Sequence, residues 1–444
     1  MKKLIVLFFT IIVTICFLAC KTENLPNTKT NTIKKLFLNI SDATNLYIGK
    51  SSSIFSHSAR SITESNGASK ERIFKITEDG YAEEVTYTYE IDIYDELGNK
   101  ISTLTETETE IFTPTSIIKL NDEYLIVCFT SNNYLVNTRT GECYNYTNDI
   151  PYIHDSLSYY SGDSVMTDAS NNIYFVSDSK ILMLDITNPE NTKLKTMTPS
   201  SEKIDYWTWG VDKNGNIAYE GKDISGNGVL RFKSKTEGFK NLPGNTNFSC
   251  TMIWQGLDGI MYYFNQSNPN SKIKKLNPEP YSAEDYKEED SASTNMGACG
   301  FKALLRAKNK NRMILLADGS SYPEFYEVYN NETNLLKKID SISVGLKKFK
   351  FGIASDDYYY LVGINNEDES TIVKIDPENY SYEELISGGT LDVYNLSISN
   401  NLLIFNALRM SDGAIVMGTI NNEKKLTILD ENLEEQVTVL EKIR

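Results

Sequence analysis

DKNGNIAYEG, residues 212–221, holds the pattern that decides the fold. A polar cluster of Asp, Asn and Gly leads without a break into an apolar run beginning at Ile217. Asp, Asn and Gly tolerate the positive φ of tight turns, and short runs of β-branched and aromatic residues between such clusters read as strands. The same grammar returns in LNDEYLIVCF, DASNNIYFVS, GLDGIMYYFN, NKNRMILLAD, SDDYYYLVGI and SNNLLIFNAL. The strands of these seven stretches begin near Tyr124, Ile173, Ile217, Ile260, Met313, Tyr358 and Leu402, at intervals of 49, 44, 43, 53, 45 and 44 residues. A period in this range is the mark of a repeat architecture.

A second hairpin follows most of the markers, as in VNTRTGECYNY, LDITNPENTKLKT, VYNNETNLLKKI and VKIDPENYSYEEL. Each unit therefore contributes four antiparallel strands in about 45 residues, which is one blade of a β-propeller. Residues 36–444 resemble bacterial propellers in architecture, without the Trp-Asp signature of WD repeats. The fold expected is all-β, a propeller of seven or eight four-stranded blades, with eight preferred. The strand-like runs LFLNI, NLYIG, RIFKI, EEVTYTYEIDIY and KISTL in residues 36–110 supply the eighth, irregular unit. A fifth strand after Leu391 is available to pair with that unit and close the ring, which removes two exposed edges. A β-sandwich, or two stacked β domains, would leave the recurring interval unexplained. The acidic stretch NPEPYSAEDYKEEDSAS, Asn277 to Ser293, accounts for the longest interval and reads as a solvated surface loop.

The chain opens MKK, followed by sixteen residues without charge, Leu4 to Ala19. A basic start and a short apolar run have the layout of a secretory signal, and a bilayer span needs about 20 residues. Leu18-Ala19-Cys20 resembles a bacterial lipobox. The resemblance implies a signal peptide over residues 1–19, cleavage before Cys20, palmitate-type acylation of that cysteine and attachment to a bacterial membrane. Several acyl chains anchor where one binds only marginally. Residues 20–35 are polar after the cysteine, and read as a flexible tether.

The formal charge is −16, and loss of Lys2 and Lys3 with the signal deepens it to about −18. Such a body repels nucleic acid, which is excluded as a partner. Beyond Cys16 and Cys20 stand Cys128, Cys143, Cys250 and Cys299, with no C-x-x-C pair, so no thiolate metal site is expected. Cys128 and Cys143 fall on the second and fourth strands of one blade, nearly 10 Å apart, too far for a disulfide. Cys250 and Cys299 open the innermost strands of adjacent blades and form the one plausible disulfide.

Chemistry-bearing residues are sparse. His57 and His154 are the two histidines, and no G-x-S-x-G accompanies either. Asp212 to Asn216 begins like a calcium loop, but the sixth and twelfth positions hold Ile217 and Asp223 where glycine and glutamate are required. It reads as a hairpin turn. NTRTGE, Asn137 to Glu142, resembles the turn of quinoprotein propeller repeats, yet Tyr144 stands where those carry a docking tryptophan, so no cofactor is expected.

The aromatic residues offer the candidate ligand site. Tyr206, Trp207 and Trp209 lie on one presumed innermost strand, Trp254 lies on the next, and Tyr159 and Tyr160 lie on the segment entering the blade before. They serve either as stacking faces at the channel mouth or as wedges between blades. The function expected is a monomeric, non-catalytic cell-envelope lipoprotein, at the outer membrane or cell surface, that binds a protein or glycan. The alternatives are a glycan lyase or hydrolase and a periplasmic assembly scaffold.

Overall fold

The protein was analysed as a computed structural model that describes residues 33–50, 71–78, 80–94, 99–108, 112–130, 132–146, 165–204, 208–234, 238–241, 250–265, 272–277, 287–293, 300–318, 323–329, 337–339, 344–386, 388–399, 402–431 and 441–442. The described secondary structure is all strand apart from one turn of 3-10 helix at Pro189–Asn191. The chain divides into two compact units.

The larger unit, Phe37–Thr88 with Thr107–Arg444, is a propeller of eight blades. Blades 1 to 7 run in chain order and start at Pro114, Val165, Trp209, Cys250, Gly300, Leu346 and Leu391. In each, four strands pair antiparallel in sequence order, from the innermost outward. The second strands begin at Tyr124, Ile173, Ile217, Met261, Arg312, Tyr359 and Leu402, within one residue of the positions read from the sequence. Blade 8 is built from both ends of the chain. Glu441–Lys442 is its innermost strand, followed outward by Ala43–Lys50, Glu71–Thr77 and Ala82–Glu84. The closing register sets Lys442 opposite Asn45 and Glu441 opposite Leu46.

Two sequence expectations need correction. Only part of residues 36–110 enters blade 8, because Ile33–Leu38, Tyr87–Tyr94 and Lys100–Glu108 belong to another sheet. The acidic stretch is not all loop, since Lys287–Ser293 is the outer strand of blade 4 and pairs with Lys272–Asn277. Its register sets Asp290 opposite Lys274 and Glu289 opposite Lys275. Strand pairing is a long-range property, and composition alone hides it.

The blades cohere through apolar seams. Among the described residues, seven buried clusters join consecutive blades, from the seam of blades 1 and 2 to that of blades 7 and 8. Strand Ala43–Lys50 also neighbours Pro114–Lys119, which brings blade 8 back to blade 1. Burying one large apolar side chain contributes about 1.5–3 kcal/mol, so each seam outweighs any single polar contact within it.

The turns between first and second strands explain the repeated Asp and Asn. Asp212 Oδ1 accepts the N–H groups of Asn214 (2.9 Å) and Asn216 (2.8 Å), and Oδ2 accepts Asn216 Nδ2 at 2.8 Å. Asp168 does the same for Ser170 and Asn172 in blade 2. Gly215 at φ +82° and Asn171 at φ +60° occupy the left-handed position of these turns. Both oxygens of Asp212 are thus engaged by the turn itself, as the hairpin reading requires. In NTRTGE, Gly141 has φ +71°, and a Cβ there would lie 1.8 Å from the Leu38 carbonyl oxygen. Glycine is needed for that close approach, and Leu38 N–H donates to Gly141 O at 2.8 Å. Tyr144 packs against the seam of blades 1 and 2.

The smaller unit comprises Met1–Leu36 and Tyr89–Glu106. Within it, Asp92 accepts from Lys100 Nζ (2.6 Å) and Thr103 Oγ1 (2.7 Å), and Tyr89 OH donates to Glu106 Oε2 at 2.7 Å. Ile101 and Leu104 are exposed on its strand Lys100–Glu108.

Removal of residues 432–444 is expected to lower the thermal midpoint by several degrees and to promote self-association, because the edge of Ala43–Lys50 is uncovered. Scanning calorimetry with light scattering checks it. The turn carboxylates are expected to titrate in opposite directions from the ordinary value of 3.8. Burial pushes Asp212 up, whereas hydrogen bonds from Asn227 hold exposed Asp223 down. Raising the pH through the Asp212 midpoint therefore costs stability, and lowering it through the Asp223 midpoint costs stability. Site-resolved carbon NMR of the two carboxyl groups measures both midpoints.

Candidate functional site

The two ends of the inner strands differ. At the end where first strands turn into second strands, backbone bonds lace neighbouring blades. Ala169 N–H donates to Lys213 O (2.7 Å), Lys213 N–H to Gly259 O (2.8 Å) and Asn309 N–H to Asp356 O (2.8 Å). Gln255, last on the inner strand of blade 4, extends Nε2 to Val211 O (3.1 Å) of blade 3 and Thr167 O (3.3 Å) of blade 2. Arg306 of blade 5 donates from Nη2 to Gln255 O at 3.0 Å. Four consecutive inner strands are thereby tied at this end.

The opposite end, where the inner strands begin, carries the candidate site. Its best-defined part is the connection from blade 2 to blade 3, residues 197–204. Lys180 stands after a tight turn whose Asp178 and Ser179 have φ +47° and +57°. Its ammonium donates to the carbonyls of Pro199 (2.8 Å), Ser200 (2.8 Å) and Glu202. Ile204 N–H donates to Ser179 O at 2.9 Å, and Glu202 Oε1 pairs with Arg231 Nε at 2.9 Å. A lysine has three donors and no acceptor, so three converging carbonyls satisfy it completely. The connection is fixed where it hands the chain to Tyr206 and Trp207.

Tyr206, Trp207, Tyr159, Tyr160, Cys20, Cys299, His57 and His154 lie outside the described residues. The other two candidate aromatics are wedges. Trp209 is 1% exposed in the seam of blades 2 and 3, and Trp254 is 0% exposed in the seam of blades 4 and 5. Trp254 stacks on Tyr262 with ring centroids 6.1 Å apart. A ring with no open face cannot stack on a ligand, so the stacking role read for Trp209 and Trp254 is replaced by packing. Cys128 and Cys143 are free thiols, and burial pushes both up, away from the thiolate form.

Two clusters combine arginine, glutamate and tyrosine. Arg231 pairs with Glu202 beside Tyr219, and Arg312 Nη1 pairs with buried Glu327 Oε1 (2.9 Å) beside Tyr359 and Tyr380. Burial first, and the glutamates next, push Tyr219 and Tyr380 well up, which keeps these phenols protonated. The same arrangement thus recurs in two parts of the ring. Among the described residues, no three of His, Cys, Asp and Glu converge as a metal site, and no helix is long and apolar enough to cross a membrane.

Lys180, Glu202, Arg231 and Gln255 were not singled out by the sequence. Their partners are backbone carbonyls or residues of other strands, which leave no local motif.

No family model and no curated protein matches the chain. Solved structures similar to it include a Mycobacterium tuberculosis puromycin-hydrolyzing peptidase at 10% identity and TM-score 0.43, covering 73% of this chain and 53% of that one. This chain thus spans about half the length of that peptidase. Oligogalacturonate lyase from Vibrio parahaemolyticus is similar at 10% identity and TM-score 0.42, covering 79% and 98%. TolB from Acinetobacter baumannii is similar at 12% identity and TM-score 0.31, covering 73% and 80%. Similarity at these values carries no argument about function. The class of protein is defined by the eight sheets themselves, an eight-bladed β-propeller.

Trp254→Ala is expected to cost about 3–5 kcal/mol of stability, as for other large-to-small core changes. Urea unfolding measures it. A loss below about 1 kcal/mol would contradict the wedge role.

Proposed function

We propose that the protein is a cell-envelope lipoprotein, held to a bacterial membrane by acyl chains on Cys20, whose propeller binds a protein or glycan without transforming it. The observation that carries the binding role is the fixed connection 197–204, locked by Lys180 to three carbonyls and leading into Tyr206 and Trp207. Binding residues are characteristically borne on loops positioned by a rigid scaffold. Tyr159 and Tyr160 precede the inner strand of the neighbouring blade and contribute to the same rim in this reading. Aromatic rings there would stack on a sugar face or pack on a peptide. The charged groups beneath are engaged in ion pairs, which suits support more than chemistry.

A second reading is a glycan lyase or hydrolase. It is favoured by the convergence of a carboxylate, a guanidinium and a phenol at Glu202, Arg231 and Tyr219. The two readings separate on one pair of variants. Binding to protein and glycan arrays is expected to fall at least about tenfold for Trp207→Ala, a loss of about 1.4 kcal/mol. Incubation of bound glycans with the wild-type protein is expected to leave them intact. Cleavage that Arg231→Lys abolishes would replace binding with catalysis. In cells, Cys20→Ala is expected to move the protein from the membrane fraction to the soluble fraction. Protease added to intact cells tests surface display, and protection until the envelope is broken would point to a periplasmic assembly scaffold.

A further inference from the structure

The seam of blades 7 and 8, where the two ends of the chain meet, is lined by Tyr47, Phe74, Ile76, Ile404 and Met417. Two asparagines enter this apolar seam, Asn45 from blade 8 and Asn406 from blade 7, each 0% exposed. Asn45 Nδ2 donates to Ser397 Oγ at 2.8 Å. Among the described residues, Asn45 Oδ1 and both polar atoms of the Asn406 side chain have no hydrogen-bond partner. Each such buried group costs about 1–3 kcal/mol if left alone, so three together in one seam demand an occupant.

Register places them close to one another. Asn406 follows Ile404 by two residues and stands opposite Met417, so it shares their face toward blade 8. Ser397 stands opposite Ile404, and is therefore the diagonal neighbour of Asn406. Diagonal neighbours lie about 7–8 Å apart, within reach of a side chain and one small molecule. Asn45 is held at that spot by its bond to Ser397.

The chemistry of the three atoms selects the occupant. Two are acceptors, Asn45 Oδ1 and Asn406 Oδ1, and one is a donor, Asn406 Nδ2. A cation would engage the oxygens and leave the Asn406 amide N–H unmet. Asp430 shares the cross-strand row of Asn406 but lies beyond Met417, two strands and nearly 10 Å away, where Tyr47 OH donates to it at 3.3 Å. Exchanging the amide oxygen and nitrogen of either asparagine still leaves both donors and acceptors to be met. Asn395 stands directly opposite Asn406, and its Oδ1 already accepts Leu396 N–H at 2.8 Å. A neutral molecule that donates twice and accepts fits the three atoms, and internal waters make about three hydrogen bonds.

We propose that an ordered internal water bridges Asn45 and Asn406 and completes the closing seam. It acts as a register latch as well. Asn45 lies opposite Ile76 within blade 8, and a slip of one residue in Ala43–Lys50 would turn its side chain out of the seam.

A high-resolution crystal structure of the full chain, grown with and without calcium, tests this. The expected result is a peak about 2.7–3.2 Å from all three atoms, unchanged by calcium. A peak at about 2.3–2.6 Å that strengthens with calcium would replace water by an ion and overturn the proposal. Side chains rotated to bond each other, with no peak, would also overturn it. Asn406→Leu offers an independent measure. If water bridges the pair, leucine strands Asn45 Oδ1 and the thermal midpoint falls by several degrees. If the seam is dry, leucine removes a costly amide and the midpoint holds or rises, which sinks the proposal. Should the variant fail to fold, the crystal structure of the native chain decides alone.

Discussion

The pairing of Glu441–Lys442 with Asn45–Leu46 is the contact on which every other part of the propeller relies. An open stack of blades has a bare face at each end and an unpaired inner edge on its incomplete blade. Here one short strand from the far end of the chain supplies that missing edge. The seam of blades 7 and 8 and the return of blade 8 to blade 1 both follow from it. The first and last blades become neighbours, so stability is shared around a closed ring. The closing strand is short, and its hydrogen bonds alone contribute little. Its effect comes from the apolar area that closure allows the other seams to keep buried.

Those seams share a simple design. Large rings occupy the second strand of several blades, as Tyr47, Tyr174, Tyr219, Tyr263 and Tyr359 do, all essentially unexposed. Wedges of this size fix the angle between neighbouring blades, which leaves the inner strands in a defined circle. Polar groups then finish each end of that circle differently. Gln255 and Arg306 tie inner strands at one end, whereas Lys180 fastens a connecting segment at the other.

Much of this architecture was legible in the sequence because its signals are local. The Asp and Asn of DASNN and DKNGN bond within their own turns, so the turn and the strand after it can be read from ten residues. The spare strand near the C-terminus was legible from counting. Lys287–Ser293 was not, because its strand character depends on pairing with Lys272–Asn277 and not on its own acidic composition. The hairpin of Tyr87–Tyr94 and Lys100–Glu108 reads as strand but not as a member of another sheet, since sheet membership is a long-range property. Trp209 and Trp254 were legible as aromatic residues on inner strands. Their direction, into a seam, is set by packing against the adjacent blade. The candidate site was the least legible part, because Lys180, Glu202 and Arg231 meet only in three dimensions.

Blade 8 has a consequence for the order of events in folding. Its middle strand Ala43–Lys50 is synthesised nearly 400 residues before its innermost strand Glu441–Lys442. Throughout that interval, Ala43–Lys50 presents an uncovered edge with nothing native to cover it. Closing a loop of this length is slow relative to local hairpin formation. The propeller consequently cannot mature vectorially, blade by blade, into its final form. The nascent chain must be kept from pairing with its neighbours until Glu441–Lys442 arrives, and its dependence on holding factors should exceed that of a protein whose domains are completed in turn.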